Sequence, residues 1–206
     1  MRLIGDVHGL WDRYKKVIED CPESIVVGDM GVGFYKMLGD ELVARSNPPF
    51  DAMSRGNHRF IRGNHDNPSV CKSQKYYIPD GTVENDVMFI GGAYSVDYML
   101  RNEGLDWWRD EQLSAKELDQ MIDIYIETKP RIMITHDCPL FMYHVLHSYK
   151  VYESDHKTPQ ALQSLLFFHE PELWVFGHHH KSITHVAGKT TFRCLAELES
   201  FDVENW

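Results

Sequence analysis

The 206-residue chain is 43% hydrophobic and 25% charged, the proportions of an ordinary soluble globular protein long enough to bury a sizeable core. Its formal charge of −10 argues against broad affinity for nucleic acid, which needs basic surface to neutralise phosphates. No apolar run approaches the roughly 18 residues of a membrane span.

Met1 to Asp6 leads straight into strand-like sequence without a signal-peptide pattern, and Cys21, Cys71, Cys138 and Cys194 lack metal-binding spacing. The expectation is a reduced, cytoplasmic protein of one domain over residues 1–206, with no membrane partner and an open oligomeric state. Twelve histidines is a high count, and histidine is a common metal ligand, so the composition hints at metal.

Residues 2–5 read as a buried strand that ends at Asp6-Val7-His8-Gly9. Trp11 to Asp20 spaces Tyr14, Val17 and Ile18 along one helical face, Pro22 stops it, and Ser24–Val27 is a second strand ending at Gly28-Asp29. Strand, helix, strand in so short a span is a βαβ unit, which implies parallel strands with ligands beyond their carboxyl ends. Gly31, Gly33 and Gly39 loosen the next segment, and residues 36–45 are expected to be helical.

Asn47-Pro48-Pro49 is a break. Arg59–Arg62 is a third strand leading into Gly63-Asn64-His65-Asp66, and residues 82–91 are read as one further strand. Residues 92–111 form a structured excursion. Ser114 and Glu117 make a capping box for a helix striped by Leu118, Met121, Ile122 and Tyr125. Ile132–Thr135 is a strand delivering His136. Thr158 and Pro159 suit the start of a helix running to about His169, and Leu173–Phe176 delivers Gly177-His178-His179-His180. Residues 183–187 and 191–195 read as a hairpin.

The residues just past predicted strands are Asp6, His8, Asp29, Asn64, His136, His178 and His180. All are oxygen or nitrogen ligands and none is a thiolate. Such a set suits manganese, iron, zinc, nickel or cobalt, and two sites rather than one. Asp6-x-His8 and His178-x-His180 use a spacing of two, which points both side chains to one side of an extended segment. Each pair alone is weak; five strand ends delivering only ligand-type residues is a specific pattern.

These five blocks, in this order, resemble the calcineurin-like metallophosphoesterase superfamily over about residues 2–187, and Gly91 to Asp97, Arg101, Trp107-Trp108 and Glu111 look similar to a segment of its small bacterial and phage phosphoesterases. The resemblance implies an α/β fold, a four-layer α/β/β/α sandwich of two mixed sheets with a di-metal site at the sheet edge. It implies one divalent ion on Asp6, His8, Asp29 and His180, and a second on Asp29, Asn64, His136 and His178, with Asp29 bridging. Manganese is the first expectation, with iron, zinc, nickel or cobalt as alternatives. His65 would face substrate and Asp66 would orient it. Metal-bound hydroxide would attack phosphorus in line, with protonated His65 supplying the leaving oxygen with a proton.

Departures from the family pattern narrow the substrate. Asp29 is followed by Met30-Gly31 rather than by an arginine that grips phosphate, and Asp66 stands where protein phosphatases carry Glu. The nuclease branch has capping segments for which this chain has little room. A small phosphomonoester or phosphodiester is the expected substrate; a nuclease, or a non-catalytic scaffold of the same fold, is the alternative. Arg101 could contact phosphate or simply pair with Asp97, and Trp107 and Trp108 could stack on a base or simply pack. Arg55-Gly56-Asn57-His58 nearly repeats the Arg62–His65 stretch, but it precedes the third strand and is expected to be loop. His179 should point away from its neighbours, and His144, His147, His156, His169 and His185 are expected to be structural or superficial, although His144 and His147 could line the cleft.

Overall fold

The computed structural model describes residues 1–38, 41–44, 47–147, 156–204 and 206, with residues 36–38 and 41–44 described by their backbone alone. The chain forms β1 (Arg2–Ile4), α1 (Trp11–Ile18), β2 (Glu23–Val26), β3 (Tyr35–Leu38), β4 (Glu41–Ala44), α2 (Phe50–Met53), β5 (Asn57–Phe60) and α3 (Pro68–Cys71). It continues through β6 (Val83–Glu84), β7 (Val87–Ile90), a 3-10 turn at Tyr98–Leu100, α4 (Ala115–Thr128), β8 (Ile132–Thr135), α5 (Leu140–Leu146) and α6 (Lys157–Leu165). The last strands are β9 (Leu173–Phe176), β10 (Ile183–Ala187), β11 (Thr190–Cys194) and β12 (Ser200–Asp202).

One sheet has the order β12-β1-β2-β5 and the other β10-β11-β9-β8-β7-β6. The strands β1, β2 and β5 are parallel, as are β11, β9, β8 and β7, while β12, β10 and β6 join antiparallel. Both sheets are therefore mixed. Alternation along each strand sorts side chains between two layers. Leu3, Ile25, Val87, Phe89, Ile132, Ile134 and Val175 meet in the core between the sheets. Their sequence neighbours Ile4 and Val26 turn outward to Tyr14, Ile18 and Met53. On the other side, Met88, Ile90, Met133, Trp174 and Phe176 pack under Leu118, Met121, Tyr125, Met142 and Leu162. The result is the expected α/β/β/α sandwich.

Ser114 caps α4 with the reciprocal Glu117 bonds of a capping box, as the sequence indicates. Elsewhere the structure departs from expectation. The segment expected to be helical between 36 and 45 is the antiparallel pair β3–β4; the turn-forming Gly39-Asp40 dipeptide separates its apolar halves, and residues 39–40 lie outside the described residues. Residues 82–91 are a hairpin, not one strand, because Asn85 and Asp86 both adopt left-handed backbone between β6 and β7. The third strand begins two residues earlier than expected and so includes His58, which is buried and shares a 2.9 Å hydrogen bond with Ser24 Oγ. That residue is sheet, not loop. The helix expected to be capped by Thr158 is capped two residues sooner, by His156, and ends at Leu165. Neither α5 nor β12 is anticipated by a sequence pattern.

Candidate active site

Parallel strands in both sheets send their carboxyl ends to the same edge, and the loops after β1, β2, β5, β8 and β9 carry the seven candidate ligands. Left-handed backbone collects there. Among the described residues, eight non-glycine positions have positive φ, and four of them are His8, Asp29, His178 and His180. Such conformations are disfavoured for residues with a Cβ, so their gathering at one edge marks a site where structure overrides local preference. Close approach is demanded as well: a Cβ on Gly63 would overlap Asp29 Oδ1, and one on Gly28, at φ +108°, would overlap the His136 ring.

Asp6 and Asp29 are buried at the centre. On one side, His180 Nε2 lies 3.0 Å from Asp6 Oδ2, and His8 Nε2 is 2.9 Å from His180 Nε2 and 3.8 Å from Asp29 Oδ2. The ligand atoms of Asp6, His8 and His180 all fall within 4.8 Å of one another. On the other side, His136 Nε2 is 3.4 Å from Asp29 Oδ1 and 3.0 Å from Asn64 Oδ1, with the His178 ring edge-on to His136 at 5.1 Å. The two oxygens of Asp29 thus face different groups. His136 Nδ1 sits 2.9 Å from the Val27 carbonyl and donates to it, which leaves Nε2 as the ligand atom.

The electrostatics fit a cation centre. Asp6 Oδ2 is buried beside His180 Nε2 and takes part in no regular hydrogen bond. An orphaned carboxylate oxygen beside two converging imidazole nitrogens is what a metal-ligand set leaves when no cation is present. Burial alone would raise Asp29 and lower His136. Their mutual attraction wins, holding Asp29 well below the usual carboxylate range and pushing His136 up to about 10. His178, where burial dominates, is pushed down to about 3 and is a neutral, ready ligand.

His65 lies over the same edge. Its backbone N–H donates to Asp29 Oδ1 at 2.7 Å, and its ring stacks on Phe34 at 5.2 Å. Arg101 Nη2 is 3.3 Å from His65 Nε2. A guanidinium has only donors, so Nε2 accepts and the neutral ring carries its proton on Nδ1. Burial pushes His65 down to about 4, which favours the neutral ring. Arg101 also makes the intrasegment pair, through 2.7 and 2.8 Å bonds to Asp97. The pairing of Arg101 with Asp97 is therefore present, and the same guanidinium also reaches His65. Trp108 packs, buried against Phe34, and Trp107 lies against Tyr98.

Asp66 has a different task from the one expected. Its two oxygens accept backbone N–H groups of Met30, Gly31, Val32 and Gly63, at 3.1, 2.6, 2.8 and 2.8 Å. It ties the Asp29 loop to the Asn64 turn instead of steering the His65 ring. His179 does turn away from the ligands, toward Asp137 Oδ1 at 3.4 Å, Cys138 Sγ at 3.3 Å and His147 at 3.1 Å. Tyr143 Oη and the Cys138 N–H also donate to Asp137, so this cluster braces the loops after β8 and β9 from behind. His144 is exposed, His156 lies between Tyr94 and Tyr143, His169 meets the Pro130 carbonyl and His185 packs near Phe141. Sequence spacing gives no sign of Ser95 and Glu111, which reach Asn64 from the 92–111 excursion.

A model of the calcineurin-like phosphoesterase family matches residues 2–182. The chain belongs to this family. Among solved structures, GAP50, the anchor in the inner membrane complex of Plasmodium, is similar over 95% of this chain and 71% of its own, with 12% identity and a TM-score of 0.47. No curated protein matches the sequence at a significant level. Membership of the calcineurin-like phosphoesterases supports metal-dependent phosphoester hydrolysis as the general chemistry and divalent metal ions as the cofactor. Among the described residues, no helix is long and apolar enough to cross a membrane.

Proposed function

We propose that the chain hydrolyses a small phosphomonoester or phosphodiester with two divalent metal ions, manganese first among them. The observation that carries this reading is the division of the Asp29 oxygens between two ligand groups, with His65 and Arg101 at the same edge. Asp6, His8, Asp29 and His180 would hold one ion, and Asp29, Asn64, His136 and His178 the other. Two ions in such a site supply Lewis acidity and activate the nucleophile.

The side chains do the rest. Arg101, kept in place by Asp97, offers fixed positive charge to a phosphoryl oxygen. His65, held by Phe34 and by its own backbone bond to Asp29, keeps that charge close to the reacting group. Asp66 fixes the spacing of the two loops on which Asp29 and Asn64 ride. Acidic net charge disfavours a polynucleotide substrate.

The test is to strip metal, restore manganese, and compare p-nitrophenyl phosphate, bis-p-nitrophenyl phosphate and single-stranded DNA. Metal-dependent turnover of either small ester above that of DNA is expected. Cleavage of DNA alone would make the protein a nuclease, and turnover of none of the three would leave it a non-catalytic scaffold.

A further inference from the structure

Asn64 can meet a cation only with its amide oxygen, yet an amide has two ends of nearly equal shape. Something must decide which end faces the site. Asn64 Nδ2 lies 3.0 Å from Ser95 Oγ, and Ser95 Oγ lies 2.6 Å from Glu111 Oε2. The Ser95 backbone N–H donates to Glu111 Oε1 at 2.8 Å. All three residues are about 3% exposed, so water does not take part freely.

We infer that Glu111, acting through Ser95, is the positioning residue that turns the Asn64 amide oxygen toward the metal site. A carboxylate only accepts, so the single Ser95 hydroxyl proton must point to Glu111. The hydroxyl oxygen is then left to accept, and only the NH₂ end of Asn64 can serve it. The Oδ1 end is directed at His136 Nε2, 3.0 Å away. Reversing the amide would set an oxygen against a hydroxyl lone pair and an NH₂ group against a ligand nitrogen.

Glu111 is itself held. Arg62, which opens the Asn64 motif, is buried, pairs with Asp80 at 2.9 Å, and donates through Nη1 to the carbonyls of Asp110 and Glu111 at 3.2 and 2.7 Å. The Gly92 N–H returns to the Arg62 carbonyl at 2.9 Å, so both ends of the excursion are fastened beside the motif they serve. This gives Arg62 a reason to precede Gly63-Asn64.

The inference rests on the assignment of Asn64 to one of two metal sites, and Glu111→Gln probes it with almost no change of shape. The Ser95 N–H still demands an oxygen at the Oε1 position, so the new NH₂ group must sit beside Ser95 Oγ and donate to it. The hydroxyl proton is then released from position 111 and can turn to Asn64, so the bias that holds the amide in one orientation is lost. Manganese binding is measured by calorimetry on metal-free wild type, Glu111→Gln, Ser95→Ala and the double variant, with thermal unfolding of each alongside. Wild type should take two ions. In Glu111→Gln one of the two should weaken by about 10–100-fold while the other is unchanged. The glutamine should have no further effect once Ser95 is alanine. Two unchanged sites in Glu111→Gln, or equal weakening of both, would overturn the relay. A wild type that binds fewer than two ions would overturn the two-metal reading and the relay with it.

Discussion

The chain contains the letters Arg-Gly-Asn-His twice, at 55–58 and at 62–65, and the two copies do different things. Asn57 and His58 open β5, where His58 lies in the sheet and bonds to Ser24 on β2. Asn64 and His65 lie past the other end of the same strand, among ligands delivered by β1, β2, β8 and β9. Residue identity is shared; what differs is the end of a parallel strand from which each copy emerges. Amino ends of these strands give structure, and carboxyl ends give chemistry.

Substitutions can break that contrast. Asp29→Asn, at the point where the carboxyl-end loops meet, should remove both ions and lower turnover by more than about 10²-fold, measured as kcat against added manganese. Retention of two tight ions would show that Asp29 does not bridge. His65→Asn should keep the metal but lower kcat by about 10²–10⁴-fold, whereas His58→Asn should leave kcat within about twofold. Equal effects at 58 and 65 would end the comparison.

Arg101→Ala should raise KM by about tenfold, with Arg101→Lys in between because lysine keeps the charge and loses the fork to Asp97. The smallest effect belongs to the structural copy. Burial lowers the His58 pKa in the folded protein, so the unfolded chain binds more protons as pH falls below about 6.5. His58 thus contributes full stability above that range and less below it. His58→Gln should flatten the gap between unfolding temperatures at pH 7.5 and pH 5; an unchanged gap would mean that His58 is not the group that titrates.

Much of the fold and site is legible in the sequence because parallel strands buried on both faces are short apolar runs, and each ends in a ligand. The β8 run Ile132–Thr135 and the β9 run Leu173–Phe176 can be read to the residue for that reason. The β3–β4 pair cannot, since polar residues among apolar ones in a ten-residue window suit helix and hairpin alike, and only pairing separates them. Asp66 looks like a partner for its neighbour His65 because adjacency is visible in a sequence. Its true partners at Met30–Val32 lie more than thirty positions away. Ser95 and Glu111 are hidden likewise: a hydrogen bond between distant loops leaves no period to read.

One feature of the first sheet bears on how the site is assembled. Strand β1, whose end carries Asp6, pairs on one side with β2 and on the other with β12, close to the opposite end of the sequence. The Leu198 N–H also donates to the Asp6 carbonyl at 3.0 Å. During synthesis the Asp6 loop therefore stays unfinished until nearly all of these residues have left the ribosome, because its last backbone partners are made last. Closing so long a loop is slow compared with forming α4 or the β10–β11 hairpin. An ion able to hold Asp6 would favour the folded state in which β12 and Leu198 close on the first strand.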